Sequence, residues 1–254
     1  MLSREESPRL VAVILCRNRE TTRRRLWRRI GRRVRKAARI GIVGTIHGLM
    51  VRSWYGRRVA ALLEAPDLRD ACERLGLPLH RIDNFLDRDS GDLVQRLNID
   101  VAVSLGNGYI PATFFTKPRL GMINVHHELL PKYRGAQTAL WQIHDGSRLT
   151  GYSIHKISRA VDAGEILRTE ALPITFGATL RDTLVETSVV VQRRSLDGLM
   201  AVLANIDALW ASATLNDCNA FYTTPHSRAL LRIYKNHRRL RSGTWREGAE
   251  TSSQ

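Results

Sequence analysis

Asn124, His126 and His127 close an apolar run, Gly-Met-Ile-Asn-Val-His-His, that gives way to a Leu-Leu-Pro turn and a Tyr-Arg-Gly exit. On a strand, alternate residues share a face, so Asn124 and His126 point one way and His127 the other. The amide offers a fixed N–H and the imidazole a donor or proton carrier. That pair suits a carbonyl oxygen on its way to becoming an oxyanion. A carboxylate completes such a set by tuning the imidazole or accepting a proton. Asp162, in Ala-Val-Asp-Ala-Gly-Glu-Ile-Leu, is the candidate, because the small residues that follow it predict a tight loop.

Positioning these groups requires strands that end at one place. Short β-branched and apolar runs predict strands over residues 10–16, 78–82, 99–106 and 121–127, and further strands over 150–158 and 165–174. Between them, helical spacing predicts an arginine-rich amphipathic helix after Thr21 and a helix from Arg58 to Leu75 interrupted near Pro66. Further helices are expected over 90–98 and 136–144, with a long one over 179–209. The segment Gly41 to Val51 is apolar but broken by Gly41, Gly44 and Gly48, too short and glycine-rich to span a bilayer. Strands alternating with helices predict an α/β fold with an open, mainly parallel sheet. In such sheets ligands bind beyond the carboxyl ends of the strands, which is where Asn124 and His126 fall.

Composition sets the frame. The chain has 254 residues, 43% of them hydrophobic, enough for a core that needs no staple. Cys16, Cys72 and Cys218 are far apart and lack metal-ligand spacing, which points to reduced thiols, no structural zinc and a cytoplasmic protein. The formal charge of +16 is uneven: residues 17–58 carry fifteen Lys/Arg against Glu20, and a second basic cluster runs from Arg228 to Arg246. Three stretches follow: a first strand and basic helical segment (1–58), a core (59–209), and a short basic C-terminal appendage with a polar tail (210–254).

The motifs resemble those of the folate-dependent formyltransferases, which move a formyl group from 10-formyltetrahydrofolate to an amine. That family has a strand ending Asn-x-His, a Leu-Leu-Pro-x-Tyr-Arg-Gly loop, a Thr-Gly-x-x-x-His strand and an Asp-x-Gly-x-Ile-Leu segment. Here they read Asn124 to His126, Glu128 to Gly135, Thr150 to His155 and Asp162 to Leu167, and His126 precedes Asp162 by 36 residues. Four motifs in order, over roughly residues 80 to 200, make a specific signal. The resemblance implies a Rossmann-like sheet in which Asn124 and His126 hold the formyl oxygen. Asp162 then keeps His126 protonated or relays the amine's proton, and no metal takes part. It also implies a folate pocket at Leu105, Gly106, Tyr109 and Ile110, with Leu129 and Pro131 beside it and Ile157 to Val161 as the second wall.

Other residues of the motifs read as support. His127 and His155 suit packing, Tyr133 and Arg134 suit a loop anchor with Arg134 bonding carbonyls, and Glu128 replaces the family's usual serine. Family members open with a strand, a glycine-containing loop, a helix and a second strand, whereas residues 10–16 and the arginine-rich helix resemble the second strand and its sequel. The first β-α unit is therefore expected to be missing or to lie upstream. By size the chain is similar to formyltransferases of amino sugars or nucleotide-linked amino sugars. The alternatives are a formyltransferase of the methionyl-tRNA type or one acting on another anionic amine, and a catalytically silent relative. The expected partner is a small, anionic amine. The basic helix suits nucleotide-sugar phosphates, nucleic acid or the periphery of an anionic membrane, and a solvated helix packed on the sheet equally well. Self-association is compatible with all of these.

Overall fold

The computed structural model describes residues 8–17, 23–54, 58–135, 139–217 and 220–243. The first strand, β1 (Val13–Cys16), leads to the long α1 (Arg23–Trp54), the single turn α2 (Ala60–Leu62) and α3 (Leu68–Arg74). Then come β2 (Leu79–Ile82), α4 (Arg88–Leu97), β3 (Val101–Leu105), α5 (Ala112–Phe115) and β4 (Gly121–His126). The remainder is α6 (Leu140–His144), β5 (Leu149–Lys156), β6 (Ile166–Pro173), α7 (Leu180–Ala204), α8 (Ile206–Ala211) and α9 (Ser227–Arg241).

The fold is α/β; both parallel pairs have helices in their connections, and so does the antiparallel β4–β5 pair, through α6. β1 pairs with β2 and β3 with β4, both parallel. The four-stranded sheet runs β3-β4-β5-β6, and its last two pairings are antiparallel. The nine residues 157–165 that join β5 to β6 are too few for a crossover, so they close a hairpin. The β1–β2 ladder is separate from the larger sheet. The two are joined through side chains: Ile14, Cys16, Ile82, Phe85, Val94, Ala102, Phe114 and Met122 share one apolar cluster.

Odd and even residues of β4 serve different layers. Ile123 and Val125 pack with Tyr152, Ile154, Val191, Leu199 and Val202 under α7. Met122 points the opposite way, into the cluster beneath α4 and α5, and Asn124 and His126 continue on that side. Thr179 caps α7 in a reciprocal capping box with Asp182.

Several elements differ from expectation. Residues 42–54 are helical and belong to α1, and the break expected there is concentrated at Gly41, whose φ of 75° only glycine adopts readily. The long helix ends at Asn205, where the Asn205 side chain bonds the Ala201 carbonyl and competes with the helical ladder. Within the helix expected over 136–144, α6 begins at Leu140, and residues 136–138 lie outside the described residues, as does Cys218. The C-terminal helix α9 inserts Leu230, Ile233 and Leu240 into a cluster with Leu140, Ile143, Leu184 and Val51. Asn236 locks it to α6 by donating to the Ile143 and His144 carbonyls at 3.1 and 2.7 Å.

Candidate active site

The register of the sheet builds the site. Ser104 on β3, Asn124 on β4 and His155 on β5 are direct cross-strand partners, so their side chains form one row. His126 lies one alternation further along, opposite Ser153. The Asn124 amide nitrogen is 3.2 Å from His155 Nε2. His155 Nδ1 is 2.8 Å from the Lys156 carbonyl, an acceptor only, so Nδ1 carries the hydrogen and Nε2 accepts from Asn124. Burial lowers the pKa of His155, consistent with a neutral ring. The amide is thereby oriented, with its second N–H left for a ligand.

His126 is fixed by the same logic. Its Nε2 is 3.0 Å from the Tyr133 carbonyl and must donate, which leaves Nδ1 facing Asp162. Asp162 stands between the two histidines, with Oδ2 3.9 Å from His126 Nδ1 and Oδ1 3.8 Å from His155 Nε2. Both are longer than hydrogen bonds; the His126 contact sits within the range that a bound ligand tightens, whereas His155 Nε2, an acceptor in this tautomer, has no hydrogen to offer Asp162. Asp162 is held from behind: Gly135 N–H donates to Oδ2 at 3.1 Å, and Asn216 donates to the Asp162 carbonyl at 2.9 Å. Arg134 clamps the preceding carbonyl, Val161 O, at 2.7 Å, the anchoring role its place in the loop suggested.

These groups open into a cleft of about 480 Å³, the size of a small-molecule site. Leu105, Gly106, Tyr109, Ile110, Ile157 and Val161 all line it, together with Asn124, His126 and Asp162. Leu129 and Pro131 are not part of the lining. Ser153 Oγ donates to Glu128 O at 2.8 Å and accepts from Leu130 N–H at 2.9 Å, which draws this loop onto β5. Leu129 consequently packs over Gly151, and Pro131 is exposed.

The lining also holds residues that sequence reasoning assigned elsewhere or passed over: Ser104, Asn107, His155 and Phe221. His155 sits on a strand and so read as packing, although the Asn-x-His alternation on the adjacent strand was a usable signal. Phe221 arrives from far along the chain through the pairing of Tyr222 with Gly135, which no local pattern announces. Glu128 lines the cleft too, fully desolvated against the Gln142 amide, and burial pushes its carboxyl up to about 8. His127 turns away, as alternation required, to 3.3 Å from Ser195 on α7, and burial lowers its pKa to about 4. Among the described residues no cluster of His, Cys, Asp or Glu could hold a metal ion.

Comparison with known proteins places this geometry. The chain is 30% identical over 176 residues to a methionyl-tRNA formyltransferase of Lachnospira eligens, covering 63% of this chain and 55% of that protein. It is 32% identical over 160 residues to the enzyme of the same name from Cutibacterium acnes, covering 56% and 51%. The chain thus spans about half the length of the curated relatives it matches. A sugar N-formyltransferase from a Shewanella species superposes with a TM-score of 0.47 at 19% identity, covering 67% of this chain and 71% of that one. Residues 65–191, half of the sequence, match the family described as formyl transferase and contain Asn124, His126, His155 and Asp162. By that match the chain belongs to the formyl transferase family.

Proposed function

We propose that the protein is an N-formyltransferase that takes its formyl group from 10-formyltetrahydrofolate and delivers it to an amine. The observation that carries this reading is the convergence of Asn124, His126 and Asp162 in a cleft that apolar residues also line. The cleft suits such a donor: Leu105, Tyr109, Ile110, Ile157 and Val161 offer the surface a flat heteroaromatic ring needs. When bound, the folate supplies an activated formyl carbon. Asn124 donates its remaining N–H to the formyl oxygen. His126, held by the Tyr133 carbonyl at Nε2, donates from Nδ1 to the same oxygen as negative charge develops there. Asp162 would balance the charge of a doubly protonated His126 and receive the proton released by the amine, directly or through a water, and that proton would pass on to N10 as the N10–formyl bond breaks and tetrahydrofolate leaves.

For the acceptor, the reading is the amine of a small, anionic substrate such as an amino sugar or nucleotide-linked amino sugar. It is supported by the size of the cleft, about 480 Å³, which suits a small molecule. A second reading, transfer to an aminoacyl-tRNA, is favoured by the names of the curated relatives.

Calorimetry with 5-formyltetrahydrofolate tests the donor site: the wild type should bind, and Asn124→Ala and His126→Ala should bind more weakly. Absence of binding by the wild type would overturn the folate assignment. Formyl transfer is then compared on a nucleotide-linked amino sugar and on methionyl-tRNA. Product from the sugar alone supports the first acceptor, and product from tRNA alone, with affinity falling steeply with salt, supports the second.

A further inference from the structure

Helix α1 lies outside residues 65–191, which match the family, and its outer face has a composition that the catalytic reading does not use. Between Gly41 and Arg52 the inner face packs on the body. Gly44 approaches the Pro225 carbonyl, His47 stacks edge-on against Trp54 and Tyr234, and Val51 enters the core with Leu230 and Ile233. The outer face consists of Ile42, Val43, Ile46, Leu49 and Met50, all 46–80% exposed, with no charged residue among them. Their spacing is that of one helical stripe, about 12 Å long. A helix packed on one side ordinarily turns polar residues to water on the other, so five exposed aliphatic side chains in nine residues call for a cover.

The flanks indicate what the cover is. Arg35, Lys36, Arg39 and Arg52 are all exposed, and the sharp break at Gly41 turns the first half of the helix so that Lys36 comes within electrostatic reach of Arg52, at the Met50 end of the stripe. Trp27, Ile30 and Val34 are exposed in that first half. The sequence from Arg23 to Arg39 holds ten Lys/Arg and no acid. An RNA would engage the cations and leave the aliphatic stripe in water. A second copy of the chain would cover the stripe but bring two arginine-rich segments of the same sign together. A bilayer surface of negative charge satisfies both, with aliphatic groups entering the acyl boundary and long cationic side chains reaching headgroup phosphates. Among the described residues no helix is long and apolar enough to cross a membrane. We propose that the outer face of α1 from Ile42 to Met50, flanked by its cations, docks the protein on an anionic phospholipid surface.

The test is flotation of the full chain with vesicles of phosphatidylcholine, with and without phosphatidylglycerol, at about 0.15 M salt. The wild type should partition onto the anionic vesicles at least about tenfold better than onto the neutral ones. The double variant Ile46→Ser/Leu49→Ser should lose about tenfold of that binding while its circular-dichroism melt stays at the wild-type temperature. Failure of the wild type to prefer anionic vesicles would overturn the proposal. So would binding by the double variant equal to wild type, which would mean that cations alone are responsible. A wild-type dimer that the same variant converts to monomer, with no vesicle binding, would assign the stripe to self-association. Binding of a tRNA probe that ignores the variant, without vesicle binding, would assign the helix to nucleic acid. None of these outcomes depends on the folate reading.

Discussion

Asp162 adopts φ 49°, a left-handed backbone conformation that a non-glycine residue holds only when its surroundings enforce it. Gly135, Arg134 and Asn216 enforce it here, and the carboxylate is thereby aimed between two histidines. Asparagine tolerates this conformation well, so Asp162→Asn tests charge without geometry. Its melting temperature should match wild type, while kcat for formyl transfer should fall about 100- to 10,000-fold with little change in folate affinity. Glu128 presents a second, separable experiment. An unfolded glutamate ionises near 4.5, whereas burial holds this one to about 8. Between those values the unfolded chain binds fewer protons than the folded one, so this residue's contribution to stability is full below about pH 4.5 and declines as pH rises toward 8. Glu128→Gln, which is neutral at every pH, should raise the melting temperature by several degrees at pH 8 and leave it nearly unchanged at pH 4.5, as followed by differential scanning calorimetry.

At the scale of elements, the loop between β5 and β6 carries the carboxylate, and Gly164 determines how closely it can approach the sheet. A Cβ on Gly164 would stand 1.7 Å from the Lys156 carbonyl oxygen, a backbone atom with no way to yield. Gly164→Ala should therefore push the loop away and cost about 2 kcal/mol or more of stability. Transfer activity in this variant should drop even at temperatures where circular dichroism shows it folded. That tight loop was legible in the sequence, as was the Asn-x-His strand end, because both depend on neighbouring residues. The role of His155 was hidden because it arises from cross-strand register with Asn124, which is a property of two strands at once. Leu129 and Pro131 were assigned to the folate wall by resemblance, and the hydroxyl of Ser153 holds their loop against β5 instead. Residues 41–51 read as broken because three glycines stand among them, yet Gly44 and Gly48 are places where the helix approaches the 224–226 segment closely and only Gly41 interrupts it.

The whole molecule divides unevenly around its site. The row of Ser104, Asn124 and His155 lies on β3, β4 and β5, within a sheet whose strands β4 and β5 are flanked on both sides and buried under α7. The β1–β2 pair is a ladder of its own, four residues to a strand, and Leu15 is exposed on it. Two short strands with no third partner among the described residues have little independent stability. Amide hydrogen exchange should register the difference. Backbone amides of β1 and β2 should exchange through local opening, at rates orders of magnitude above those of Ile123, Val125 and Ile154, which wait for global unfolding. Because Ile14, Cys16 and Ile82 cover one side of the cluster that also contains Ile110, each such opening bares the underside of a cleft residue while leaving Asn124, His126 and Asp162 in place. Low concentrations of urea should therefore weaken the hold on a bound ring before they touch the groups that move protons, so that KM rises at denaturant concentrations where kcat is still intact.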